Sequence, residues 1–125
     1  MDEFYLPEDI IEWISLKKSE YLSRLIQNVG PNDFPFEEYH RYDNLIASTI
    51  STPDWSVEIM DDDQKVKTYC RHYSEDQAFH QIILGVVLSD QEEKDIFVPI
   101  ISFVTRDDAL VKLFSTGKVS RPILN

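Results

Sequence analysis

The 125-residue sequence has a single cysteine, Cys70, so it can form no internal disulfide and nothing points to an oxidising compartment. It has no long apolar run either: the longest, IILGVVL and IFVPIISFV, fall far short of a membrane span. The opening MDEFYLPEDIIEW puts no cationic region ahead of an apolar core, and no signal peptide is expected. No repeat or low-complexity segment is present. The expectation is a soluble, cytoplasmic protein with no membrane contact.

Basic residues are scarce, with 12 Lys and Arg against 23 Asp and Glu for a net charge of −11. The excess is confined to one half. From Met1 to Asp63 there are 4 basic and 15 acidic residues, and from Gln64 to Asn125 there are 8 of each. Such a charge favours solubility and repels polyanions at long range. It counts against nucleic-acid binding, whose usual signature is a basic face.

What is present suits one globular domain spanning residues 1–125. The chain is long enough for one core, and 42% hydrophobic and 12% aromatic content are globular values. Pro7-Glu8-Asp9 reads as a helix start with acid in its first turn. Ile10, Trp13 or Ile14, Tyr21, Leu25 and Ile26 follow at near-helical spacing, and Val29-Gly30-Pro31 ends the helix. Asn32-Asp33 is expected to cap a second helix over Pro35 to Ser51, with Phe36, Tyr39, Tyr42 or Asp43, Ile46 and Ile50 along one side. Thr52-Pro53-Asp54 stops it.

Four strands are expected next: Trp55 to Met60, Val66 to Tyr73, Phe79 to Leu88 and Ile96 to Thr105, joined by the polar turns DDDQ, SEDQA and DQEEKD. Pro99 asks for an edge position or a bulge. Asp107 caps a short helix over Ala109 to Ser115, before a turn at Gly117. The fold class is therefore α+β: two N-terminal helices packed on one face of a four-stranded antiparallel meander sheet, with a short C-terminal helix.

Alternation sorts the side chains. Val66, Thr68, Cys70 and His72 share one side with His80, Ile82, Leu84, Val86 and Leu88, and a symmetric SEDQA turn sets His72 opposite His80. This is the better core face. The histidine pair lacks a third ligand at a recognised spacing, so it is read as hydrogen-bonded edge residues, with no metal and no cofactor. Cys70 is expected to be buried and structural, and DDDQ a solvated turn, since it lacks the glycine and distal glutamate of a calcium loop. The opposite face collects Tyr69, Arg71, Tyr73 and Gln81, and extending the register through the DQEEKD turn places Ser102 on the same side, though a bulge at Pro99 would flip it. Two aromatic rings flanking a guanidinium on an open sheet can stack bases and clamp a phosphate, or can be ordinary cross-strand pairs.

The stretch from His40 through IASTISTPDW to KTYCRHY, and on to IILGVVL and IFVPIISFV, is similar to the phage-associated branch of the barnase–EndoU–colicin–RelE-like nuclease superfamily. Members carry a helix with a histidine, a segment like I-x-x-T-L-x-x-P-D, a strand with an aromatic and a basic residue, and a strand ending I-I-T/S-x-Y. Here these positions read Ile46, Thr49, Ile50, Pro53 and Asp54; Tyr69 and Arg71; and Ile100, Ile101 and Ser102, with Val104 in place of the last aromatic. The resemblance implies metal-independent RNA cleavage by 2′-hydroxyl attack on phosphate. Arg71 would be the cation, His40 the base or acid, Tyr69 and Ser102 the phosphate positioners, and Tyr73 and Gln81 further substrate contacts.

Two other readings are open. An acidic interaction module, inhibitor-like or immunity-like, would mimic a polyanion and meet a basic protein partner. A dimerising adaptor would form a homodimer through Phe79, Ile83 and Val87 on the open sheet face. The charge around Tyr69 and Arg71 separates them: a local positive surface keeps RNA in play, and a lining of carboxylates removes it.

Overall fold

The computed structural model describes residues 6–74, 77–89 and 94–115. Helix α1, Glu8–Asn28, starts at Pro7 with Glu8 and Asp9 in its first turn, and its last turn closes when the Val29 amide donates to the Leu25 carbonyl. Its buried stripe runs through Lys17, Tyr21 and Leu25, while Ile26, expected within the stripe, is exposed.

The second helical region differs from a single α-helix. A 3-10 helix, Phe36–Leu45, leads into a short α2, Ile46–Ser51. The reason is in the spacing: Phe36, Tyr39, Tyr42 and Leu45 recur every third residue. Three residues per turn set such positions on one edge, whereas an α-helix rotates each away from the last. Tyr39 is buried, and Tyr42 and Leu45 pack on the core. Asp33 does not cap this helix. Its carboxylate accepts from the Phe34 and Arg106 amides (2.8 Å each) and from the Thr105 hydroxyl, fastening the loop to the far end of the sheet.

The sheet is the expected antiparallel meander of β1 (Trp55–Asp61), β2 (Gln64–Tyr73), β3 (Phe79–Ser89) and β4 (Asp95–Thr105), in that spatial order. Asp62 and Asp63 turn β1 into β2 with φ of 51° and 66°; this two-residue loop needs left-handed backbone, which aspartate tolerates. His72 lies opposite His80 and Cys70 opposite Ile82, as a symmetric turn requires. Pro99 sits on edge strand β4 beside a bulge: Leu84 pairs with Ile101 and Gly85 with Pro99, leaving Ile100 extra. Helix α3, Asp108–Ser115, follows, with the Asp107 carboxylate accepting the Ala109 amide (2.9 Å). The turns at 75–76 and 90–93 and the Gly117 turn lie outside the described residues.

The helices do not share one face. The α1 side chains Lys17 and Tyr21 reach Asp61, on the side of Val66 and Cys70. Helix α2 places Thr49 on Gln81 and Tyr73, the other side. With a helix on each side, the middle of β3 is buried on both faces: Gln81 is 1% exposed and Ile83 0%. Of the residues expected to form an open homodimer face, Phe79 and Ile83 are buried by the chain's own side chains, while Val87 is half-buried. Among the described residues no helix is long and apolar enough to cross a membrane.

Candidate functional site

Tyr69, Arg71, Tyr73, Gln81 and Ser102 do fall on one side of the sheet, since Tyr69 pairs with Ile83 and Ile83 with Ser102. That side has two halves. In the half under α2, two of the expected substrate contacts, Tyr73 and Gln81, are already engaged. The Thr49 hydroxyl donates to Gln81 Oε1 (2.6 Å), which leaves the Tyr73 hydroxyl to donate to Thr49 (2.9 Å), with the Leu45 carbonyl 3.4 Å away. Gln81 Nε2 donates to the Tyr42 carbonyl (2.8 Å). The Tyr73 ring stacks on Phe79, which also meets Phe34 and Tyr42. Gln81 and Tyr73 therefore hold α2 and the 3-10 helix on the sheet, and neither offers a free polar atom to a substrate.

Arg71 borders this half. Its guanidinium lies over the Tyr73 ring (5.2 Å) and donates to the Ser48 carbonyl (3.4 Å) and the Thr52 hydroxyl. A cation at the C-terminal end of α2 is favourably placed against the carbonyls there. Among the described residues it forms no ion pair, so its charge is not cancelled by a carboxylate.

Among the described residues, no helix covers the other half. On β2 it presents Lys65, Lys67 and Tyr69, with Glu58 and Met60 alongside on β1. Gly85 makes a flat spot at its centre, because a Cβ there would come within 2.5 Å of Phe97 Cζ and the Val98 carbonyl. Phe97 lies over that glycine and meets Tyr69 edge-on, ring centres 5.0 Å apart. Lys67 Nζ sits 4.9 Å from the Tyr69 ring centre and 3.8 Å from Glu58. Among the described strand residues of this side, Lys65, Lys67 and Arg71 face two carboxylates, Glu58 and Asp95. Phe97 is the participant that sequence reading missed. Its signal was Gly85, a residue with no side chain opposite an aromatic-bearing strand.

The remaining candidates stand apart. The His40 side chain is 83% exposed and lies 3.5 Å from Asp43 of its own helix; no hydrogen bond or ion pair joins it to Tyr69, Arg71 or Ser102. Ser102 is separated from Tyr69 by the buried Ile83. The base, cation and acid of a phosphoryl-transfer site are not brought together by these residues. Cys70 is fully buried, and burial, helped by the negative charge of Asp54, pushes its thiol up to about 12, so it stays protonated and inert. No group of three or more His, Cys, Asp and Glu among the described residues is arranged to hold a metal ion.

Comparison with protein-family models, curated proteins and solved structures finds no match to this chain.

Proposed function

We propose that this domain binds single-stranded RNA on the sheet face built by Lys65, Lys67, Tyr69, Arg71 and Phe97, and does not cleave it. The observation that carries the reading is the Tyr69 ring, partly exposed, with Phe97 at its edge and Lys67 above it. A base that stacks on Tyr69 displaces only the flexible lysine stem, and the freed ammonium then reaches the neighbouring phosphate. Arg71, held at the end of α2 with no carboxylate partner among the described residues, supplies a second phosphate contact. Cleavage is left out because His40, the expected acid or base, stands apart from these groups beside Asp43. The resemblance to the phage-associated nuclease branch supports RNA as the polymer.

The test is fluorescence anisotropy with a labelled mixed-sequence single-stranded RNA, at low salt and in EDTA. Tyr69→Ala is expected to weaken binding by roughly tenfold, about the worth of one stacked base. Wild-type affinity should fall with salt at a log–log slope of about −1.4, as two phosphate contacts on a single strand require. Absence of binding at low salt, or equal binding by Tyr69→Ala and Lys67→Ala, overturns the proposal and favours a basic protein as partner. RNA cut in EDTA by wild type but not by Arg71→Ala would instead restore a catalytic role.

A further inference from the structure

The two histidines of the β2–β3 hairpin sit on the opposite side of the sheet from the proposed RNA face. His72 and His80 are directly opposed in register, their ring centres 4.9 Å apart and their planes inclined at 55°. The pair is neither stacked nor hydrogen-bonded within the fold: among the described residues neither imidazole bonds to a carboxylate, hydroxyl or backbone group. His72 is exposed and His80 half-buried, so the gap between them is open to solvent.

The spacing fits a metal ion. Imidazole nitrogens bind zinc at about 2.0–2.1 Å, and the ring centre lies about 1.1 Å further on, so two rings at a tetrahedral angle have centres about 5.2 Å apart. The observed 4.9 Å is within a small side-chain rotation of that value. The surroundings favour a cation. The Asp54 carboxylate accepts the His72 amide (2.6 Å), and the negative charges of Asp54 and Asp108 both act on His80. Neither aspartate is close enough for an ion pair with a ring, so both attract a dication from beyond its first ligands. Cys70, the nearest thiol on the same side, is buried in the core and does not compete.

We infer that His72 and His80 form a two-histidine site for a borderline divalent transition-metal ion of the zinc class, with water completing its coordination. Nitrogen donors select such ions over magnesium and calcium, which require oxygen. With two protein ligands the ion exchanges readily and does not hold the fold together. This inference does not depend on RNA binding.

The experiment is a titration of the metal-free protein with zinc chloride, followed through the imidazole nitrogen and proton resonances and by calorimetry. His72 and His80 are expected to shift together at one equivalent while His40, on the 3-10 helix, stays unmoved. Either His72→Ala or His80→Ala should weaken zinc binding by about tenfold or more, and His40→Ala should not. Wild-type spectra with no response at millimolar zinc, or with only His40 responding, overturn the inference without recourse to any variant. Undiminished calorimetric binding by a folded His72→Ala/His80→Ala protein overturns it equally.

Discussion

At the residue scale, a side chain's neighbours decide what it does more than its type does. Gln81 alternates with apolar residues on β3 and would read as a wet-face residue, yet it is buried with both ends of its amide satisfied. Such a group stabilises only while its partners stay. Thr49→Val, nearly equal in shape, removes the donor to Gln81 Oε1 and the acceptor for Tyr73. It is expected to cost about 1–3 kcal/mol, read as a lower urea midpoint with an unchanged slope. A change below a few tenths would mean that water replaces the hydroxyl.

At the scale of elements, α1 is latched to the β1–β2 hairpin by a buried charge. Lys17, 5% exposed, contacts Glu20 (3.0 Å), Asp61 (3.1 Å) and Asp62 (3.1 Å). Tyr21 donates to Asp61 (3.1 Å) and the Trp13 indole to Asp62 (3.2 Å). Burial by itself would lower the Lys17 pKa; the three carboxylates outweigh it and raise it, so the lysine stays charged. Burial, and then the Asp61 charge, raise Tyr21 likewise, which keeps its hydroxyl a donor. Lys17→Met leaves Asp61 buried without its cation and is expected to cost about 3–5 kcal/mol. The Lys17→Met/Asp61→Asn double variant should cost less than the two single changes together, because each already breaks the same pair. Additive losses in chemical denaturation would show that the residues act separately.

At the scale of the whole molecule, charge and proton linkage shape stability. A net charge of −11 keeps copies apart and adds self-repulsion, while the cations of β2 are gathered on one sheet face. His80 shapes the acid limb. Its folded pKa lies below its ordinary 6.5, so the unfolded chain binds more protons between those two values. Its contribution is fully present above pH 6.5 and is lost as the pH falls through the folded pKa. Thermal melts from pH 7 to 5 should show a falling midpoint, and His80→Gln should flatten that fall. An acid limb unchanged in the variant would assign it to the carboxylates.

The sequence by itself determined the elements, the sheet order and the register, because hydrophobic period, turn residues and prolines are local signals. The bulge at Pro99, the Asp107 cap and the His72–His80 pairing were all legible in it. So was the gathering of Tyr69, Arg71, Tyr73 and Gln81 on one side, which follows from two-residue alternation, whereas Ser102 joins them only through the bulge at Ile100. The three-residue spacing of Phe36, Tyr39, Tyr42 and Leu45 was equally readable as a 3-10 helix, and Lys17 within the α1 stripe as a buried ion pair. Only the tertiary structure decided which face each helix covers, since both sheet faces are apolar enough to accept one. That choice buried Gln81 and Ile83, engaged Tyr73, left His40 in solvent, and kept Tyr69 and Phe97 uncovered. Whether a polar side chain is a site or a fastening depends on what lies above it, and alternation along one strand carries no information about the next layer.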